Sequence, residues 1–99
     1  MKNNKIEIRP ELQKFAEQME IILRENDYKS GLDSENLTYF NDKFNSHSKK
    51  LNYLITRYYD LSIPDVFRNN KTISNLIRNE VIDCANYLLA IYLSKNLVE

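Results

Sequence analysis

The chain has almost none of the residues that punctuate or staple a fold. One glycine, Gly31, and two prolines, Pro10 and Pro64, occur in 99 residues. That scarcity argues against a turn-rich sheet protein and for long helices. The single cysteine, Cys84, excludes an internal disulfide and fits a reducing compartment. Neither sign of charge prevails: 14 basic and 14 acidic residues leave a net charge of zero. Nothing therefore draws the chain as a whole to nucleic acid or to an anionic membrane, and neither is an expected partner. No apolar run approaches the roughly 20 residues of a membrane span, and the first ten residues lack the apolar centre of a signal peptide. A cytoplasmic location is the expectation.

What is present is a 42% apolar composition, enough to argue against wholesale disorder. It is arranged as one domain over residues 1–99, with residues 1–8 as a polar lead-in arm. Pro10 suits the first turn of a helix. Leu12, Phe15, Met19, Ile22 and Leu23 then recur at spacings of three and four, which predicts an amphipathic helix from 10 to about 26. A loop over 27–34 holds Gly31, and Ser34 is the expected N-cap of a second helix from 35 to about 60. Its stripe is Leu37, Phe40, Phe44, Leu51, Leu54, Ile55 and Tyr58. One stripe position, 47, holds a histidine. Residues 61–71 read as a break, with Pro64 starting a single turn through Val66 and Phe67. Thr72 or Ser74 is expected to cap a last helix from about 73 to 95, with Val81, Cys84, Ala85, Leu88 and Tyr92 as its apolar stripe. The fold class is therefore all-α, three long helices plus a short one. Tyr87, Leu89, Ile91 and Leu93 lie off that stripe. So few helices cannot cover so many apolar faces, and a homodimer or larger homo-oligomer closing a helical bundle is expected.

The chemistry concentrates on the last helix. Glu80 and Asp83 stand three residues apart and so share one helix face. An acid pair in a core-building helix is costly to bury, and it requires a cation, a basic partner or water. Lys50, Lys49 or Arg78 could supply an inter-helix ion pair. His47 has two readings: a hydrogen-bonded interior histidine, or a transition-metal ligand together with Glu80 and Asp83. The tyrosines at 39, 53, 58, 59, 87 and 92 read first as core edge or interface, and second as platforms for a base.

Three segments together carry a resemblance: RPELQKFAEQMEIILRENDYKSG (residues 9–31), LTYFNDKFNSHSKKL (37–51) and EVIDCANY (80–87). They resemble small phage and prophage proteins of the MazG-like, all-α nucleotide pyrophosphohydrolase group, over most of the chain. That resemblance implies a helical dimer or higher oligomer. It also implies hydrolysis of nucleoside triphosphates to monophosphate and pyrophosphate, with Mg²⁺ or Mn²⁺ as cofactor. In that group, two adjacent glutamates and a third three residues on, together with an E-x-x-D on the next helix, hold the metal. Here the E-x-x-D is Glu80 and Asp83, followed by Asn86. The glutamate triplet is missing, and its positions fall on Ser46, His47 and Lys50. Lys29 matches the group's loop near its nucleotide site, where its ammonium could meet phosphate.

The departure weighs more than the match. Two carboxylates, an imidazole and an ammonium make a poor Mg²⁺ site, and Lys50 could place its own cation where the metal would sit. The expectation is a catalytically degenerate, phage-derived protein in the host-cell cytoplasm. It would act by binding a nucleotide or a host protein, an inhibitor of host defence such as an anti-CRISPR being one such role. The alternatives are an active pyrophosphohydrolase whose metal site is rebuilt from His47, Glu80 and Asp83, and a purely structural helical interaction module.

Overall fold

A computed structural model describes residues 6–26, 36–60 and 71–98. Among them there are three helices and no strand: α1 (Pro10–Asn26), α2 (Leu37–Tyr58) and α3 (Lys71–Tyr92). The turn expected around Val66 and Phe67 lies outside the described residues, as do Ser34 and Lys29.

Local chemistry sets each end of the first two helices. Pro10 opens α1, where a missing N–H costs nothing, and the Arg9 carbonyl accepts from the amides of Leu12 and Gln13. Glu11 lies in the first turn of α1 and Arg24 in the last, each suited to the helix dipole. The N-cap of α2 is Asn36, not Ser34. Its backbone is extended and its side chain accepts from the Tyr39 amide at 2.9 Å. A second free amide of that first turn, on Leu37, donates to Asn96 Oδ1 at 2.9 Å, so the segment after α3 returns to cap α2. α3 begins at Lys71, which places Thr72 and Ser74 inside the helix rather than at its cap, and it ends at Tyr92 rather than near 95.

α2 follows the sequence pattern closely. Leu37, Phe44, His47, Leu51 and Tyr58 are half-buried, and Phe40 and Leu54 are buried. Ile55, also expected in that stripe, is 38% exposed.

α3 departs from its expected stripe. Leu88 is 49% exposed and Tyr92 80% exposed, whereas Ile73, Glu80, Ile82, Cys84, Asn86 and Ala90 are buried. The cause is that α3 packs against both α2 and α1. At 3.6 residues per turn, Glu80 and Asn86 point about 120° apart. Glu80 meets side chains of α2, and Asn86 meets α1. A helix with two neighbours has two buried faces; Cys84 of the expected stripe is buried and Val81 and Ala85 are half-buried, while Leu88 and Tyr92 are left uncovered. α1 contributes no buried residue. Phe15, Met19, Ile22 and Leu23 are half-buried, and Leu12 is 51% exposed.

Candidate functional site

α2 and α3 each present two polar side chains one turn apart, and the pairs meet across the interface. His47 and Lys50 come from α2, Glu80 and Asp83 from α3. The Glu80 side chain is only 5% exposed, yet both of its oxygens are engaged. His47 Nδ1 makes a short contact with Oε2, and Lys50 Nζ lies 3.5 Å from Oε1. Asp83 Oδ2 stands 3.9 Å from the same His47 nitrogen. A buried carboxylate with two cationic or donor partners is the arrangement that makes burial tolerable. Neither Lys49 nor Arg78 pairs with these carboxylates, and Ser46 is exposed outside the cluster.

The electrostatics follow from the crowding. Burial pushes the Asp83 carboxyl above its ordinary value and the adjacent Glu80 adds to the push, while His47 and Lys50 pull the other way. Burial also raises the Cys84 thiol, with Glu80 and Asp83 adding to it, so Cys84 is a packed, inert thiol and not a nucleophile.

Tyr87 completes the cluster. Its ring lies 5.1 Å from the His47 ring, tilted by 33°, and fixes one face of the imidazole. Its hydroxyl is raised chiefly by burial, then by Tyr39, Asp83 and Glu80. Sequence reasoning gave Tyr87 only a generic place among the tyrosines. The available signal was its position one turn beyond Asp83 and two beyond Glu80.

Asn86 is not brought to the cluster. It is buried on the α1 side, where Nδ2 donates to the Met19 carbonyl at 3.3 Å and Oδ1 has no partner. Elsewhere, a cleft of about 370 Å³ lies between the end of α2 and the start of α3, lined by Ile55, Tyr58, Tyr59, Ser74, Ile77 and Arg78. Ile77 is one turn from Glu80, but none of His47, Lys50, Glu80 and Asp83 lines this cleft.

His47, Glu80 and Asp83 each offer a ligand atom, and these atoms lie within 4.8 Å of one another. Chemically the arrangement can neutralise charge between helices or hold a small cation. No protein-family model matches the chain, and comparison with curated proteins and with solved structures found no match. The class that fold and site define is a helical protein with a polar histidine–carboxylate–lysine cluster between two of its helices. No helix among the described residues is long and apolar enough to cross a membrane.

Proposed function

We propose that this chain is a catalytically degenerate, phage-derived protein of the MazG-like group, which acts by binding a nucleotide or a host protein. One observation carries the reading: Glu80 meets nitrogen on both sides, the His47 imidazole at one oxygen and the Lys50 ammonium at the other. Mg²⁺ demands a near-octahedral set of oxygen ligands. The helix facing the E-x-x-D instead offers a nitrogen donor and a competing cation.

The cleft between the end of α2 and the start of α3 supports a nucleotide as ligand. It has two tyrosine rings for a base and Arg78 for a phosphate, within a volume suited to a small molecule. Exposed apolar surface supports a homodimer. Leu88 and Tyr92 lie on the uncovered side of α3, with half-buried Val81 and Ala85 between the same two faces.

The test is purified protein with Mg²⁺ or Mn²⁺ and a panel of nucleoside triphosphates. No pyrophosphate release is expected; release that Asp83→Ala abolishes overturns the reading. Thermal shift with the same nucleotides then separates the two binding roles, because a ligand selective for the folded state raises the melting temperature. The second reading, an active enzyme with a rebuilt metal site, is favoured by the convergence of the His47, Glu80 and Asp83 ligand atoms. Size exclusion tests the dimer, and a stable monomer overturns it.

A further inference from the structure

We propose that His47, Glu80 and Asp83 form a binding site for a divalent transition-metal ion of the zinc class, and that Lys50 competes with the ion for Glu80. This goes beyond the binding role above: it gives the cluster itself a ligand, whether or not the chain hydrolyses nucleotides.

The donor set comes first. One imidazole nitrogen and two carboxylate oxygens lie within 4.8 Å of one another. A tetrahedral ion with bonds of about 2.0–2.2 Å spaces its donors about 3.4 Å apart. Asp83 stands slightly beyond that spacing, whereas His47 and Glu80 are in direct contact and closer than it, so an entering ion parts that pair and draws Asp83 in. Asp83 Oδ2 lies 3.9 Å from His47 Nδ1, on a side chain that is 34% exposed. Of the other two donors, Glu80 is buried and His47 packs against the Tyr87 ring. One nitrogen with two carboxylates suits Zn²⁺, Co²⁺ or Ni²⁺ far better than Mg²⁺. His47 and Asp83 are also the partly exposed members, so the fourth position faces solvent. Water, or an oxygen of a second ligand, can fill it.

The charge balance points the same way. With a neutral imidazole, two carboxylates and the Lys50 ammonium sum to −1. The Lys50 side chain is 63% exposed, with its ammonium 3.5 Å from Glu80. It supplies part of a cation's role in the free chain and can withdraw into water when an ion arrives. Binding takes the lone pair of His47 Nδ1, so any proton held there moves to Nε2 or is released. Affinity therefore falls as pH is lowered.

The experiment titrates tag-free protein with Zn²⁺ alone, followed by calorimetry, thermal unfolding and the ring C–H resonances of His47. Those resonances need no assignment, because the chain has one histidine. One Zn²⁺ per chain is expected, with the His47 resonances moved and the melting temperature raised by about 5 °C or more at saturation. Equal Mg²⁺ should leave both unchanged. His47→Ala and Asp83→Asn, both at partly exposed positions, should abolish binding while the protein stays folded by circular dichroism. Lys50→Gln should tighten it several-fold, and Cys84→Ala should leave it unchanged. The site is refuted by any of four results: Zn²⁺ that leaves the His47 resonances in place, binding that survives His47→Ala, Mg²⁺ that binds as tightly, or weaker binding in Lys50→Gln. No nucleotide enters this titration, so the two proposals fail separately. Pyrophosphate release sinks the degenerate reading and leaves the metal site standing, whereas absent Zn²⁺ binding does the reverse.

Discussion

α3 has two neighbours, and it is joined to them in different ways. Toward α2 it places Glu80 between His47 and Lys50; by helix geometry the buried Ile73 and Cys84 share that side of α3, and α2 itself buries Phe40 and Leu54. Toward α1 it places Asn86, whose side of α3 the buried Ile82 and Ala90 share by helix geometry, but α1 returns no buried side chain, and the one side-chain hydrogen bond across that interface runs from Asn86 to the Met19 carbonyl, among the described residues. The first interface has both apolar area and a polar centre that specifies register. A slide of one turn would separate His47 from Glu80 and leave a carboxylate buried without a partner, which is heavily penalised. The second interface has no such lock, and α1 adds no buried residue to it. The α2–α3 pair is therefore the stable unit of the fold, and α1 is the element that opens at low cost.

The most severe way to break that contrast is truncation on each side. Phe40→Ala should cost about 3–4 kcal/mol, the range for emptying a buried aromatic site, and lower the melting temperature by more than about 10 °C. Phe15→Ala on half-buried α1 should cost about 1 kcal/mol, because most of what it loses was already in water. Chemical denaturation of both variants measures the difference; equal losses would show that α1 is as integral as α2. Hydrogen exchange should rank the helices the same way, with α1 amides exchanging before those of α3.

Glu80→Ala comes next, at about 2 kcal/mol destabilising. Removing the carboxylate ends its own desolvation cost, but it also strips His47 and Lys50 of their shared partner and empties a packed position. The loss wins because Glu80 is buried with both oxygens paired, while Lys50 simply returns to water. A melting temperature that rises in this variant would mean that the carboxylate is retained for its ligand chemistry against a stability cost.

How much of this could be read in the sequence depended on the number of neighbours. α2 has one partner face, so spacings of three and four located Leu37, Phe40, Phe44, Leu51, Leu54 and Tyr58, and marked His47 as the odd residue in an apolar line. α3 has two, and a single apolar stripe of Val81, Cys84, Ala85, Leu88 and Tyr92 locates one buried residue, Cys84, but ends on Leu88 and Tyr92, which are exposed. Two of its buried positions, Glu80 and Asn86, are polar and belong to no apolar stripe. The site was legible where geometry is local: Glu80 and Asp83 share a face by spacing alone, and so do His47 and Lys50. Asn86 was misplaced because it is one turn from Asp83 but rotated by about 120° from Glu80, which turns it toward α1. The role of Tyr87 beside His47 depends on how two helices meet, and no single-helix pattern carries that. The caps show the same limit, since Asn96 reaches the start of α2 from 59 residues away.

Asn96→Ala tests that long-range cap. It should cost about 1 kcal/mol, the usual worth of a helix N-terminal partner, because Asn36 still serves the Tyr39 amide. The effect should reach the α2 amides near Leu37 in hydrogen exchange and leave α1 unchanged. Equal loosening of both helices would remove the distinction between the two interfaces.

The smallest effect is expected at Asp83, and its sign matters more than its size. The folded protein holds the Asp83 proton to higher pH than the unfolded chain does, because burial and Glu80 outweigh His47 and Lys50. Between the ordinary value of 3.8 and the raised folded value, the native state therefore binds more protons, and stability falls as pH rises through that window. At neutral pH the charged carboxylate is a net cost, screened because the side chain is 34% exposed. Asp83→Asn should accordingly raise the melting temperature at pH 7 by about 1–3 °C and flatten its pH dependence above 3.8. With saturating Zn²⁺ the order should invert, wild type melting above the variant, since the ion needs the charge that the free protein pays to keep. Wild type melting higher without the ion would show that His47 and Lys50 already stabilise Asp83 in full, and that the α2–α3 interface is a closed ion-pair network with no charge left over for a cation.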